Sequence, residues 1–136
     1  MPYAAPYSLC GVTSMDKPAG SRSDMLRVYI SGPITLGGFD LNIGLAVDAA
    51  NELANHGFAP FCPHSNTFLM AVKQRRPHAE WLALDLPWVD ACDVIYRIPG
   101  ASKGADMEVA RARKQGIPVV YSIGELITLR DGRLHA

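Results

Sequence analysis

Short apolar runs alternate with helical patterns along this chain, and that alternation constrains its fold more than any other feature. Leu26–Ser31, Phe58–Phe61, Cys92–Ile98 and Ile117–Tyr121 each have the length and the branched or aromatic content of a buried strand. Between them, Leu41–His56, His78–Asp90 and Ala105–Gln115 carry helical spacing, and Gly124–Leu129 predicts a short terminal helix. Strands joined through helices enter a parallel sheet by right-handed crossovers. Strands covered on both faces read as short, mainly apolar runs, as these do. The expectation is an α/β, three-layer domain of the flavodoxin or Rossmann-like kind. Its parallel sheet should hold four or five strands in the order 2-1-3-4.

Punctuation refines the pattern. Gly57 ends the first helix, and Gly116 with Pro118 ends the third. Pro60 places the second strand at a sheet edge or a strand end. On the first helix Leu41, Leu45, Asp48/Ala49, Glu52/Leu53 and His56 trace one face, with its apolar members expected to turn inward. Pro87 should kink the His78–Asp90 helix or end it early. Cys62–Pro77 is the least regular stretch. Residues 1–24, rich in Pro, Ser, Gly and Ala, read as a flexible tail, residues 25–130 as the domain, and residues 131–136 as a loose end.

Composition excludes several function classes. With 136 residues and 49% hydrophobic content, the chain is a single domain able to bury its own core. Formal net charge is zero and no basic stripe is present, which argues against a nucleic-acid polymer as partner. A small anionic ligand needs only a local site. Cys10, Cys62 and Cys92 lack metal-ligand spacing and read as reduced structural thiols, so neither metal nor cofactor is expected. No apolar run reaches membrane-spanning length, and the first residues lack a signal-peptide pattern. No membrane contact and a cytoplasmic location are expected.

In a 2-1-3-4 sheet the winding reverses between strands 1 and 3, and ligands bind beyond the carboxyl ends of the strands at that point. The Ser31-Gly32-Pro33-Ile34 loop and the Ala101–Gly104 loop both arrive there. Ser102 and Gly104 precede a helix, where free amides and the positive helix end favour an anion. Ser102 is equally readable as a plain helix N-cap, the commoner role for such a serine. Glu108 lies about one turn further on, facing the crevice or simply solvated on the helix surface. Asp85 sits between Leu84 and Leu86 with Trp81 and Trp88 nearby, so it either caps something or is held for function. The two tryptophans stack on a ligand or pack the core. His64, beside Asn66, is a candidate ligand contact. A phosphate grip with a carboxylate one turn away suggests a nucleotide whose sugar carbon meets Glu108.

Taken together, Val28-Tyr-Ile-Ser-Gly-Pro-Ile34, Asp85-Leu86 with Cys92-Asp93, Ser102-x-Gly-Ala-x-x-Glu108 and Gly116-Ile-Pro-Val119 resemble the nucleoside 2-deoxyribosyltransferase superfamily, and most closely small proteins with the domain called DUF4406. The similarity spans roughly Leu26 to Ile123. That superfamily includes transferases that move deoxyribose between bases and hydrolases that cleave nucleoside 5′-monophosphates. The resemblance implies that Glu108 is the nucleophile, that Asp85 assists near base and sugar, and that Tyr29 belongs to the site. It implies phosphate contacts at Ser102 and along the backbone of Gly32, Ile34 and Gly104. Ser102 matches the hydrolases, whereas transferases tend to carry aspartate. In one departure, Thr35 stands where the hydrolases have arginine, which leaves Lys103, Arg97 or a neighbouring subunit to supply charge.

The chemistry of the bond agrees. Breaking a C1′–N bond builds positive character at C1′, which an adjacent carboxylate stabilises or attacks. The expectation is hydrolysis of a (deoxy)nucleoside 5′-monophosphate through Glu108, with Asp85 protonating or orienting the base. Deoxyribosyl transfer and non-catalytic nucleotide binding are the alternatives. The resemblance also implies a homodimer or higher homo-oligomer, to which the apolar Phe68, Leu69, Met70 and Val72 would contribute.

Overall fold

The computed structural model describes residues 25–34 and 37–134, so the tail expected over residues 1–24, Thr35, and residues 135–136 lie outside the described residues. Nine elements follow in order: β1 (Arg27–Ser31), α1 (Phe39–Asn55), β2 (Ala59–Phe61), α2 (Pro63–Lys73), α3 (His78–Ala91), β3 (Val94–Arg97), α4 (Lys103–Lys114), β4 (Val119–Val120) and α5 (Ile123–Leu134). The strands form one parallel sheet in the order β2-β1-β3-β4. This is the Rossmann-like three-layer arrangement that the alternation predicts. Pro60 lies in β2, an edge strand, where a missing N–H need not interrupt the ladder.

The period of two along β1 sorts the core into two layers. Val28 and Ile30 pack with Val94, Val120, Ala46, Leu53 and Leu126, which places α1 and α5 on one face. Tyr29 packs with Ile95, Val89, Val109 and Ala112, which places α3 and α4 on the other. Each fully buried branched side chain contributes roughly 1.5–3 kcal/mol. Ser31, two residues beyond Tyr29, shares the α3/α4 face. The register pairs Tyr29 with Ile95 and Ser31 with Arg97, setting the ends of β1 and β3 side by side.

Four local expectations are corrected. The inward face of α1 is Asn42, Ala46 and Leu53, whereas Leu41 and Leu45 are 61% and 52% exposed. The cause is Asn42, whose amide turns inward and donates to the Ile34 carbonyl at 3.1 Å. The stretch expected to be irregular contains α2, opened by Pro63 at its first position. Helix α3 runs through Pro87 to Ala91; the carbonyl that Pro87 leaves without its N–H belongs to exposed Ala83, where water can satisfy it. Helix α5 continues to Leu134, so Asp131–Arg133 are helical rather than part of a loose end. Arg130 holds those turns down, donating to the His56 carbonyl and lying over the Phe58 ring at 4.6 Å. No helix among the described residues is long and apolar enough to cross a membrane.

Candidate active site

Ser102 sets the start of α4. Its Oγ accepts from Ala105 N at 3.1 Å, and its carbonyl receives Asp106 N at 3.0 Å, the first turn of the helix. The inward stripe of α4 is then Ala105, Glu108, Val109 and Ala112, at helical spacing against the sheet. Glu108 therefore lies over β1 on the side where Tyr29 and Ser31 project. The Tyr29 hydroxyl donates to Glu108 Oε2, and Ser31 Oγ donates to Oε1 at 2.8 Å. One donor serves each carboxylate oxygen.

Burial pushes the Glu108 carboxyl up from 4.5 to about 7; the Tyr29 and Ser31 donors pull it down, and nearby Asp85 adds to the rise. Tyr29 is fully buried, and burial beside two carboxyl groups drives its phenol well above the ordinary value, so it remains a donor. Asp85, from α3, is 8% exposed and has no hydrogen-bond partner among the described residues. Burial alone raises it from 3.8 to about 6.

Both carboxyl groups line one cavity of about 500 Å³. That size falls within the roughly 300–1,000 Å³ of small-molecule sites. Its walls come from Gly32–Ile34 after β1, Ala101–Ala105 after β3, Thr67 and Ala71 of α2, and His78 and Trp81 of α3. Gly32 is required where β1 leaves the sheet: a β-carbon there would lie 2.2 Å from Ile98 Cγ1. The loops after β1 and β3 thus touch at the point where the sheet order reverses.

Of the residues singled out in the sequence, Glu108, Asp85, Gly32, Ile34, Ser102, Gly104 and Trp81 all line this cavity, with Tyr29 behind Glu108. Two lie elsewhere. Trp88 is 49% exposed and stacks on Phe61, centroids 4.9 Å apart, away from the cavity wall. His64 is 1% exposed, and its Nε2 donates to the Pro33 carbonyl at 2.9 Å, tying α2 to the loop after β1. Its Nδ1 is buried without a partner among the described residues, and burial lowers its pKa, favouring the neutral ring. His64 acts on the loop rather than on a ligand in the cavity.

Arg97 is also committed elsewhere: its guanidinium donates to the carbonyls of Ile98 and Gly100 and reaches Asp106 at 3.3 Å. It lines a separate depression with Arg113 and Tyr121. Lys103 does line the carboxylate cavity. Ser31 and His78 are site residues that motif reasoning missed. Ser31 was accessible through the period of two from Tyr29, whereas His78 carried no sequence signal. Among the described residues, no group of three or more His, Cys, Asp or Glu side chains is placed to hold a metal ion.

No curated protein matches the chain. Residues 26–121 match the family DUF4406, described as a domain of unknown function. That span contains all four strands and every wall of the carboxylate cavity. The chain belongs to the DUF4406 family.

Proposed function

We propose that this protein hydrolyses the N-glycosidic bond of a (deoxy)nucleoside 5′-monophosphate, releasing the free base and a sugar 5-phosphate. The observation that carries the reading is the pair of buried carboxyl groups in one cavity, Glu108 clamped by Tyr29 and Ser31 and Asp85 without a partner among the described residues. The likeness of the site motifs to nucleoside 2-deoxyribosyltransferases and nucleotide N-glycosidases supports the same chemistry.

In the reaction, a Glu108 oxygen forms an ester bond to C1′ as the C1′–N bond breaks. The bonding pair leaves with the base nitrogen, which takes a proton from Asp85. Water then attacks C1′ of the ester, Asp85 takes the water's proton, and Glu108 is regenerated. Tyr29 and Ser31 hold both oxygens of Glu108, so the attacking lone pair is oriented before substrate arrives. Trp81 supplies an aromatic wall for the base. Incubating the protein with a panel of nucleoside monophosphates and separating free base by chromatography tests the reading. Base release from at least one of them is the expected result, and no release from any would reject it.

The working unit proposed with this chemistry is a homodimer or higher homo-oligomer. Leu69 and Val72 of α2, 69% and 67% exposed, and Leu41 and Leu45 of α1 support it as apolar surface that a second copy would cover. A strictly monomeric mass by light scattering at micromolar concentration would contradict it.

A further inference from the structure

His78 opens α3 and Lys103 opens α4, and both line the carboxylate cavity. Two helix N-termini, each equivalent to roughly half a positive charge, therefore meet at one part of its wall. A β-carbon built on Gly104 would lie 3.2 Å from His78 Nε2. The imidazole thus sits against the α4 backbone in the space that Gly104 leaves by lacking a side chain. Within the first turn of α4, Ala105 N is taken by Ser102 Oγ and Asp106 N by the Ser102 carbonyl. The amides of Lys103 and Gly104 precede those bonds and have no partner within the helix. Among the described residues lining the cavity, Lys103 is the one lysine or arginine.

A second, independent feature says that the cavity takes a ligand. Asp85 is more than nine-tenths buried, lines the same space and has no hydrogen-bond partner among the described residues. Its oxygens open into the cavity and accept no bond from the protein among the described residues, so they are available to a donor on a bound molecule. Asp85 calls for the donor-bearing part of a ligand, and the paired helix ends call for its anionic part.

We propose that His78 and Lys103 form the phosphate grip of this site, His78 Nε2–H and the Lys103 ammonium binding the dianionic monoester alongside the Lys103 and Gly104 amides. As the Nε2–H tautomer, the His78 imidazole donates to a phosphate oxygen. His78 and Lys103 are then the side chains that distinguish a sugar 5-phosphate from an unphosphorylated sugar. A β-carbon at Gly104 would press on the ring, which would have to give by a few tenths of an ångström. This assignment rests on the nucleotide reading above only for what lies beyond the sugar; the grip itself needs only a sugar phosphate.

Calorimetric titration with ribose 5-phosphate and with ribose isolates the grip from hydrolysis. The wild-type protein should bind ribose 5-phosphate at least about tenfold more tightly than ribose, the difference one charge-assisted hydrogen bond makes. His78→Ala and Lys103→Met should each weaken ribose 5-phosphate about tenfold and leave ribose unchanged, while His78→Gln, which keeps a donor, restores part of the loss. Both side chains are exposed, so melting temperatures should stay at the wild-type value. Equal affinities for the two sugars in the wild type, or undiminished phosphate preference in both variants, would overturn the assignment. If the preference holds and falls in the variants while no nucleotide releases base, the grip stands and the hydrolase reading fails. Base release without phosphate preference would reject the grip and leave the hydrolase reading standing.

Discussion

Tyr29 and Glu108 stand 79 positions apart in the chain and share a buried hydrogen bond, the phenol of β1 donating to the carboxylate of α4. Ser31, two residues along the same strand, holds the other oxygen at 2.8 Å. A strand of period two and a helix of period 3.6 thus converge on one carboxyl group. Both donors favour the ionised form, against a burial that raises the group to about 7.

That balance sets a pH profile. In the proposed hydrolysis Glu108 acts as nucleophile when ionised and Asp85 as acid when protonated, and burial raises the two to about 7 and about 6. The productive arrangement is therefore a minority of the free enzyme, and kcat/KM should form a bell with its maximum between those values. Because Glu108 titrates above Asp85, the alkaline limb follows Glu108. Removing a donor to the ionised form raises the carboxyl further. Tyr29→Phe should move the alkaline limb up by about one pH unit or more and lower the maximum roughly tenfold, as expected for a hydrogen bond to a charged group. A profile that falls in height without moving would assign Tyr29 a packing role only.

The same burial makes a stability prediction of opposite sign to the usual carboxylate. A folded-state value of about 7 against an ordinary 4.5 means that the native protein binds the extra proton between those pH values. Stability is then fully present below about 4.5 and is lost as pH rises through 7. At about 1.4 kcal/mol per pH unit of displacement, the loss is about 3 kcal/mol. Urea unfolding of Glu108→Gln, which cannot ionise, should show a flatter pH dependence and a relative gain above pH 7. A wild-type stability that stays level from pH 4 to 8 would contradict this.

Contact between the loops after β1 and β3 gives a third prediction. A β-carbon at position 32 would fall 2.2 Å from Ile98 Cγ1, so Gly32→Ala should destabilise by about 1–3 kcal/mol. Adding Ile98→Ala, which removes the obstructing atoms, should recover part of the loss that Gly32→Ala causes in the wild-type background. Additive effects in the double variant would mean that the loop yields without this contact.

The sheet was legible because its strands are short, mainly apolar and spaced by helices; of the two readings of Pro60, a sheet edge or a strand end, the edge position is the one found. The site was legible where it lies on loops at the sheet's point of reversal. What escaped did so for local reasons. In helix α2 Leu69 and Val72 face solvent, so an amphipathic periodicity carried no signal beyond Pro63. The inward face of α1 keeps Leu53 as expected but takes Asn42 and Ala46 in place of Leu41 and Leu45, Asn42 donating its amide to the Ile34 carbonyl. Trp88 lies about one turn from Asp85 on α3, yet its ring stacks on Phe61 instead of lining the cavity. His64 reads in sequence as a loop histidine and is a buried strut under Pro33.

Glu108 as the covalent nucleophile is the central claim, and intact-protein and peptide mass spectrometry of acid-quenched turnover tests it most directly. Incubated with the nucleoside monophosphate that releases base fastest and then quenched within the first turnovers, the wild-type protein should carry one sugar-phosphate adduct on the peptide containing Glu108. Glu108→Ala should carry no adduct and release base at no more than about a thousandth of the wild-type rate, the loss of roughly 4 kcal/mol of transition-state stabilisation. Base release by Glu108→Ala at the wild-type rate, or an adduct on any other peptide, would contradict the account.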